Sequence, residues 1–69
     1  MVIYIVMVTD YSPMPGEPPE YYLGPAFADF DAADRWIDKE EAFAKTEQGM
    51  MLHGGWRRAY TIHERDAWS

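Results

Sequence analysis

The run Val2-Ile3-Tyr4-Ile5-Val6-Met7-Val8 limits what this chain can fold into more than any other stretch. It is apolar at every position and mostly β-branched or aromatic, so an extended strand here is apolar on both alternating faces. Such a strand needs neighbours at both edges and cover over much of both faces. The run lacks a basic segment ahead of it and is far shorter than the ~20 apolar residues that span a bilayer. It therefore reads as a central strand ending near Thr9, and the expected location is the cytoplasm.

At 69 residues the chain is one domain. A chain this short buries only about 60% of its unfolded surface, and many of its size rely on disulfides, metals or a partner. The chain has no cysteine, which removes disulfides and thiolate metal sites. Eleven residues are Phe, Trp or Tyr, a composition that favours folding through bulky packing or association.

Asp10 to Glu20 holds Pro13, Pro15, Pro18 and Pro19, which can neither pair in a sheet nor continue a helix. It reads as a long, stiff hairpin loop with Tyr11 and Met14 on or beside it. Tyr21 to Phe27 reads as a second strand, with Pro25 placing it at a sheet edge or at the strand's end. Asp29 and Asp31 are candidate caps for a helix from about Ala32 to Gln48, with Gly49 as its stop. Steps of 100° gather Ala32, Ala33, Trp36, Ile37, Phe43 and Ala44 on one arc, with Glu40 and Glu47 inside it. Met50 to Gly55 reads as an apolar connector ending in a turn, and Trp56 to Glu64 as a third strand.

A hairpin makes the first two strands antiparallel, and the helix returns the chain so that the third pairs with the first. The expected fold is α+β: a three-stranded antiparallel sheet of order 2-1-3, ββαβ in sequence, with one helix on one face. One helix covers one side of a strand that is apolar on two. The uncovered side then presents either Val2, Tyr4, Val6 and Val8 or Ile3, Ile5 and Met7; either the proline loop and the Met50–Leu52 connector fold over it, or it is an exposed apolar patch of the kind that marks interaction sites.

The formal net charge is −6 and unevenly spread. Residues 1–34 carry six acids and no Lys or Arg, whereas His53 to Arg65 holds Arg57, Arg58, Arg65 and both histidines against Glu64. Direct binding to nucleic acid is not expected of so acidic a chain. His53 and His63 lack the short His–His spacing of a metal site, and Asp29, Asp31 and Asp34 lack the Gly and Glu of a calcium loop. If Glu40 and Glu47 are buried, Arg57 or Arg58 is the expected counter-charge. No phosphate-binding loop, nucleophile elbow or catalytic triad order is present, so neither an enzyme nor a cofactor is expected.

Tyr22-Leu23-Gly24-Pro25-Ala26-Phe27, then Asp31-Ala32-Ala33-Asp34-Arg35-Trp36, then Trp56-Arg57-Arg58-Ala59-Tyr60-Thr61-Ile62 resembles small accessory proteins of actinobacterial phages. Tyr22 to Phe27 also resembles the Gly-Pro-Phe turn before the helix of peptidoglycan-binding SPOR domains, with Ala26 inserted between Pro25 and Phe27. The phage resemblance implies a protein that binds and modulates a host protein. The expected function is thus a protein-binding module, homodimeric, acting through the exposed sheet face or the Pro-rich loop. Val2, Tyr4, Val6, Val8, Tyr11, Met14, Tyr21, Tyr22, Trp56 and Tyr60 are the candidate contact residues. An acidic mimic of nucleic acid, built on Glu17, Glu20, Asp29, Asp31, Asp34, Asp38 and Glu41, is the first alternative. A small ligand-binding or catalytic domain around Glu40, His63 and Glu64 is the second.

Overall fold

The structure is a computed structural model that describes residues 1–66. Its elements are β1 (Val2–Tyr11), β2 (Glu20–Phe27), α1 (Phe30–Ala44), α2 (Glu47–His53) and β3 (Arg57–Asp66). The strands form one antiparallel sheet of order β2-β1-β3, with the apolar run at its centre as expected.

β1 pairs with β3 in unbroken register from Val2↔Asp66 to Tyr11↔Arg57. Pairing with β2 is interrupted: Ile5 faces Ala26 and Met7 faces Leu23, so the Gly24–Pro25 step bulges out opposite Val6. Pro25 costs no ladder bond here because β2 is an edge strand. Gly24 is required at this point, since a β-carbon there would lie 2.9 Å from the Val6 carbonyl oxygen and 3.4 Å from the Val6 and Val8 side chains.

α1 begins two residues earlier than expected. Asp29 is its cap, in extended conformation, and its side chain accepts a hydrogen bond from the Asp31 amide at 3.2 Å. Asp31 is left in the first turn, where its charge suits the helix dipole. The expected connector is instead a second helix. Thr46 separates the two helices by bonding both: its hydroxyl donates to the Phe43 carbonyl at 2.6 Å and accepts from the Gly49 amide at 3.1 Å. Gly49 is therefore not a stop. It is buried inside α2, where an added β-carbon would run into the Phe43 carbonyl and lie 2.8 Å from Ala44 Cα. The stop is Gly54, in left-handed conformation, whose amide donates to the Met50 carbonyl.

The core lies between α1 and the sheet. Val6 and Ala33 are fully buried, Val8 and Ile37 nearly so, and Tyr4, Phe27, Trp36, Tyr60 and Ile62 pack around them. Edge-to-face ring pairs close both ends, Trp36 on Tyr60 and Tyr4 on Phe30, each with centroids 5.8 Å apart. The even-numbered row of β1 therefore faces α1, and Val6 and Val8 are core residues rather than contact residues. Tyr4 and Tyr60 are likewise turned toward the helix. The row turned away from α1 is Ile3, Ile5 and Met7.

The two rows should respond differently to truncation. Ile37→Ala is expected to cost about 2–5 kcal/mol, a large share of a small domain's stability. Ile5→Ala on the opposite side should cost under about 1 kcal/mol. Urea unfolding of both variants reads this, and equal losses would contradict the assignment of the core to the α1 side.

Candidate functional site

Alternation along three paired strands assembles the face turned away from α1. β1 contributes Ile3, Ile5, Met7, Thr9 and Tyr11; β2 contributes Tyr21, Leu23 and Ala26; β3 contributes Arg57, Ala59, Thr61, His63 and Arg65. No described element of the chain packs on this side. Leu23 is 75% exposed and Tyr21 68%, while Ile3, Ile5 and Met7 are partly shielded by their neighbours in the sheet. The centre is aliphatic, the β2 border is aromatic and aliphatic, and the β3 border is polar. Arg57 lies over the Tyr11 ring at 4.8 Å, and the Thr61 hydroxyl and His63 imidazole are hydrogen-bonded at 3.1 Å.

Charge is sorted by face. The strand acids Asp10, Glu20, Glu64 and Asp66 all occupy positions on the α1 side. The open-face positions hold Arg57, Arg65 and His63 and no acid. Among the described residues neither Arg57 nor Arg65 has a carboxylate partner. A chain of formal charge −6 thus carries a sheet face of opposite sign.

Of the expected contact residues, this face holds Tyr11 and Tyr21. Met14 is exposed on the proline loop. Val2 is exposed at the end of the α1-side row, and Tyr22 stands on the same side, its hydroxyl donating to the Glu20 carboxylate, which raises its pKa. Trp56 precedes β3 and faces the helices. Ile3, Ile5, Met7 and Leu23 are the open-face residues that the expected contact set omits.

A concavity of about 380 Å³ lies between the end of α1, α2 and the start of β3, with Glu41, Met50, His53, Trp56, Arg58 and Tyr60 in its lining. Of its polar lining groups, Arg58 is committed internally. Asp10, only 8% exposed, accepts two bonds from one Arg58 guanidinium, from Nε at 2.6 Å and from Nη2 at 2.8 Å. Arg58 holds the Asp10 carboxyl below its ordinary value, more than offsetting the desolvation that opposes this, and Asp10 pushes Arg58 further up in return. Burial raises the Tyr60 phenol, and Arg58 beside it opposes that in part.

Arg57 and Arg58 are thus not the counter-charges of Glu40 and Glu47: one stacks on Tyr11, the other clamps Asp10. Glu47 is exposed in the first turn of α2 and Glu40 is half-buried on α1. Among the described residues no cluster of three or more His, Asp or Glu is placed to hold a metal ion. No described helix is long and apolar enough to cross a membrane.

The Asp10–Arg58 clamp contributes stability only while Asp10 is ionised. Its lowered carboxyl makes that contribution full above its unfolded value near 3.8, with loss as pH falls below that through the folded value. Asp10→Asn should cost about 1–3 kcal/mol at neutral pH, because the Arg58 guanidinium loses its charged acceptor. The gap between wild type and variant in thermal melts should narrow as pH drops below about 4. A gap that stays constant into that range would refute the clamp as a charged pair.

No protein-family model matches the chain, and no curated protein and no solved structure matches it closely enough to count as a relative.

Proposed function

We propose that this protein is a non-enzymatic protein-binding module that engages its partner through the open sheet face. One observation carries the reading: an apolar column, Ile3-Ile5-Met7, flanked by well-exposed Tyr21 and Leu23, on a side where no described element packs. Leaving such a surface in water wastes roughly 25 cal/mol for each Å² of apolar area that a partner would cover. The proline loop adjoins this face at Tyr11. The loop bends at Pro13–Met14 and turns at Pro15–Gly16, and its prolines restrict the backbone before any encounter, which lowers the ordering cost of a contact through Met14. The resemblance to phage accessory proteins makes a host protein the partner we favour, and a second copy of the chain the other occupant of the same face.

A second reading rests on the opposite side of the molecule. Asp31, Asp34, Asp38 and Glu41 are exposed on α1 and would supply the field of an acidic nucleic-acid mimic. Arg35 and Lys39, interleaved with them and equally exposed, weaken that field.

The two readings separate by variant. A complex captured from the native host should lose about tenfold or more in affinity with Leu23→Glu or Met7→Glu, which place a charge in a desolvated contact. It should be unchanged by Asp34→Lys with Asp38→Lys. The reverse pattern in calorimetry, with strong salt dependence, would select the mimic. Circular dichroism of each variant keeps loss of fold apart from loss of contact.

A further inference from the structure

We infer that the occupant of the open sheet face is an amphipathic helix whose apolar stripe is flanked by acidic residues on the side that meets β3. The inference rests on the reading of this face as a protein-binding surface and goes further by naming the partner's chemistry.

Dimensions come first. Three strands spaced about 4.8 Å apart make a platform roughly 10 Å wide between the outer two, close to the 10–12 Å diameter of a helix with its side chains. The β1 column from Ile3 to Tyr11 runs for about 27 Å, the length of roughly 18 helical residues at 1.5 Å each. The molecule already uses this solution on its other side, where Ala33, Trp36 and Ile37 of α1 cover Val6 and Val8. β1 offers a second aliphatic row on the back of the same strand.

Charge then selects among helices. The open-face row of β3 has a cation near each end, Arg57 and Arg65, with His63 between them and no acid anywhere on the face. The β2 border carries Tyr21, Leu23 and Ala26 and no charge. The complementary surface is therefore acidic along one flank and apolar along the other. A basic helix would set like charges against Arg57 and Arg65.

The other occupants fit less well. Two copies joined through this face would set β3 against β3, with like charges opposed, or β3 against the uncharged β2 row, with the cations unpartnered, while each body repels the other with its net negative charge. A single-stranded nucleic acid needs stacking platforms and several phosphate contacts. The central column is aliphatic, Arg57 already covers one face of Tyr11, and two arginines would have to act against a formal charge of −6.

The test uses the full chain and a display library of helical peptides about 18 residues long, with a fixed apolar stripe and randomised flanks. Selected peptides are expected to carry Asp and Glu on one flank. They should perturb the amide signals of Ile3, Ile5 and Met7 in nuclear magnetic resonance, and weaken by about tenfold on Arg57→Glu with Arg65→Glu. Binding should also weaken as salt is raised. Peptides that map to this face with neutral or basic flanks would overturn the acidic assignment and leave the protein-binding reading standing. Failure to select any peptide, or peptides that map to the α1 side, would overturn both. Tighter binding of a short single-stranded oligonucleotide than of any selected peptide would replace the inference with a nucleic-acid ligand. A concentration-dependent rise to twice the 8.0 kDa mass that shields Ile3, Ile5 and Met7 would replace it with a second copy.

Discussion

Everything in this molecule depends on β1 being paired along both edges. All ten of its residues pair with β3 without interruption on one side, and six, between Tyr4 and Asp10, pair with β2 on the other around the bulge opposite Val6, so the side chains of the central strand set the character of both faces. α1 covers the even row. The odd row is equally apolar in its first half, yet the described chain brings no second layer to it. A strand suited to three layers thus sits in a domain whose described residues build two.

The polar parts of the fold hold this arrangement in place. Asp10 and Arg58 lock β1 to β3 just beyond the core and close the α1 side of the sheet with a charged pair rather than an apolar contact. Because that arginine is occupied, the concavity beside α2 offers fewer free polar groups than its residue types suggest. Arg57, one position away, lies on the opposite side, over the Tyr11 ring, with no carboxylate partner among the described residues. Adjacent residues on a strand thus divide one basic dipeptide between the two faces of the sheet.

Much of the fold was legible from residue pattern: the central strand, the edge strand betrayed by Pro25, the helix start near Asp29 and Asp31, and the order 2-1-3. The phase of the sheet was not. Both rows of β1 are apolar, so the strand does not announce which one a helix covers. The informative strand is β3, whose even positions hold Tyr60 and Ile62 and whose odd positions hold Arg57, Thr61, His63 and Arg65. Its apolar row transfers to β1 only when the register pairs even with even, as Val6↔Ile62 does, and register is a property of the assembled sheet. α2 was hidden for another reason. Gly49 imitates a helix stop, but the position is glycine because α2 presses against the end of α1, a tertiary contact with no local signature. Thr46 and Gly54 were the available markers of its two ends.

The bulge at Gly24–Pro25 reaches beyond β2 itself. A regular edge strand is a template on which another chain can add hydrogen bonds, and here that template is broken midway by an unpaired step and a residue with no amide hydrogen. The other border of the sheet, β3, is regular but lined with side chains of both signs from Arg57 to Asp66. Growth of the sheet sideways is discouraged at both borders, by backbone geometry on one and by charge on the other. With such borders the sheet can carry the Ile3-Ile5-Met7 column at its centre without inviting further strands at its edges.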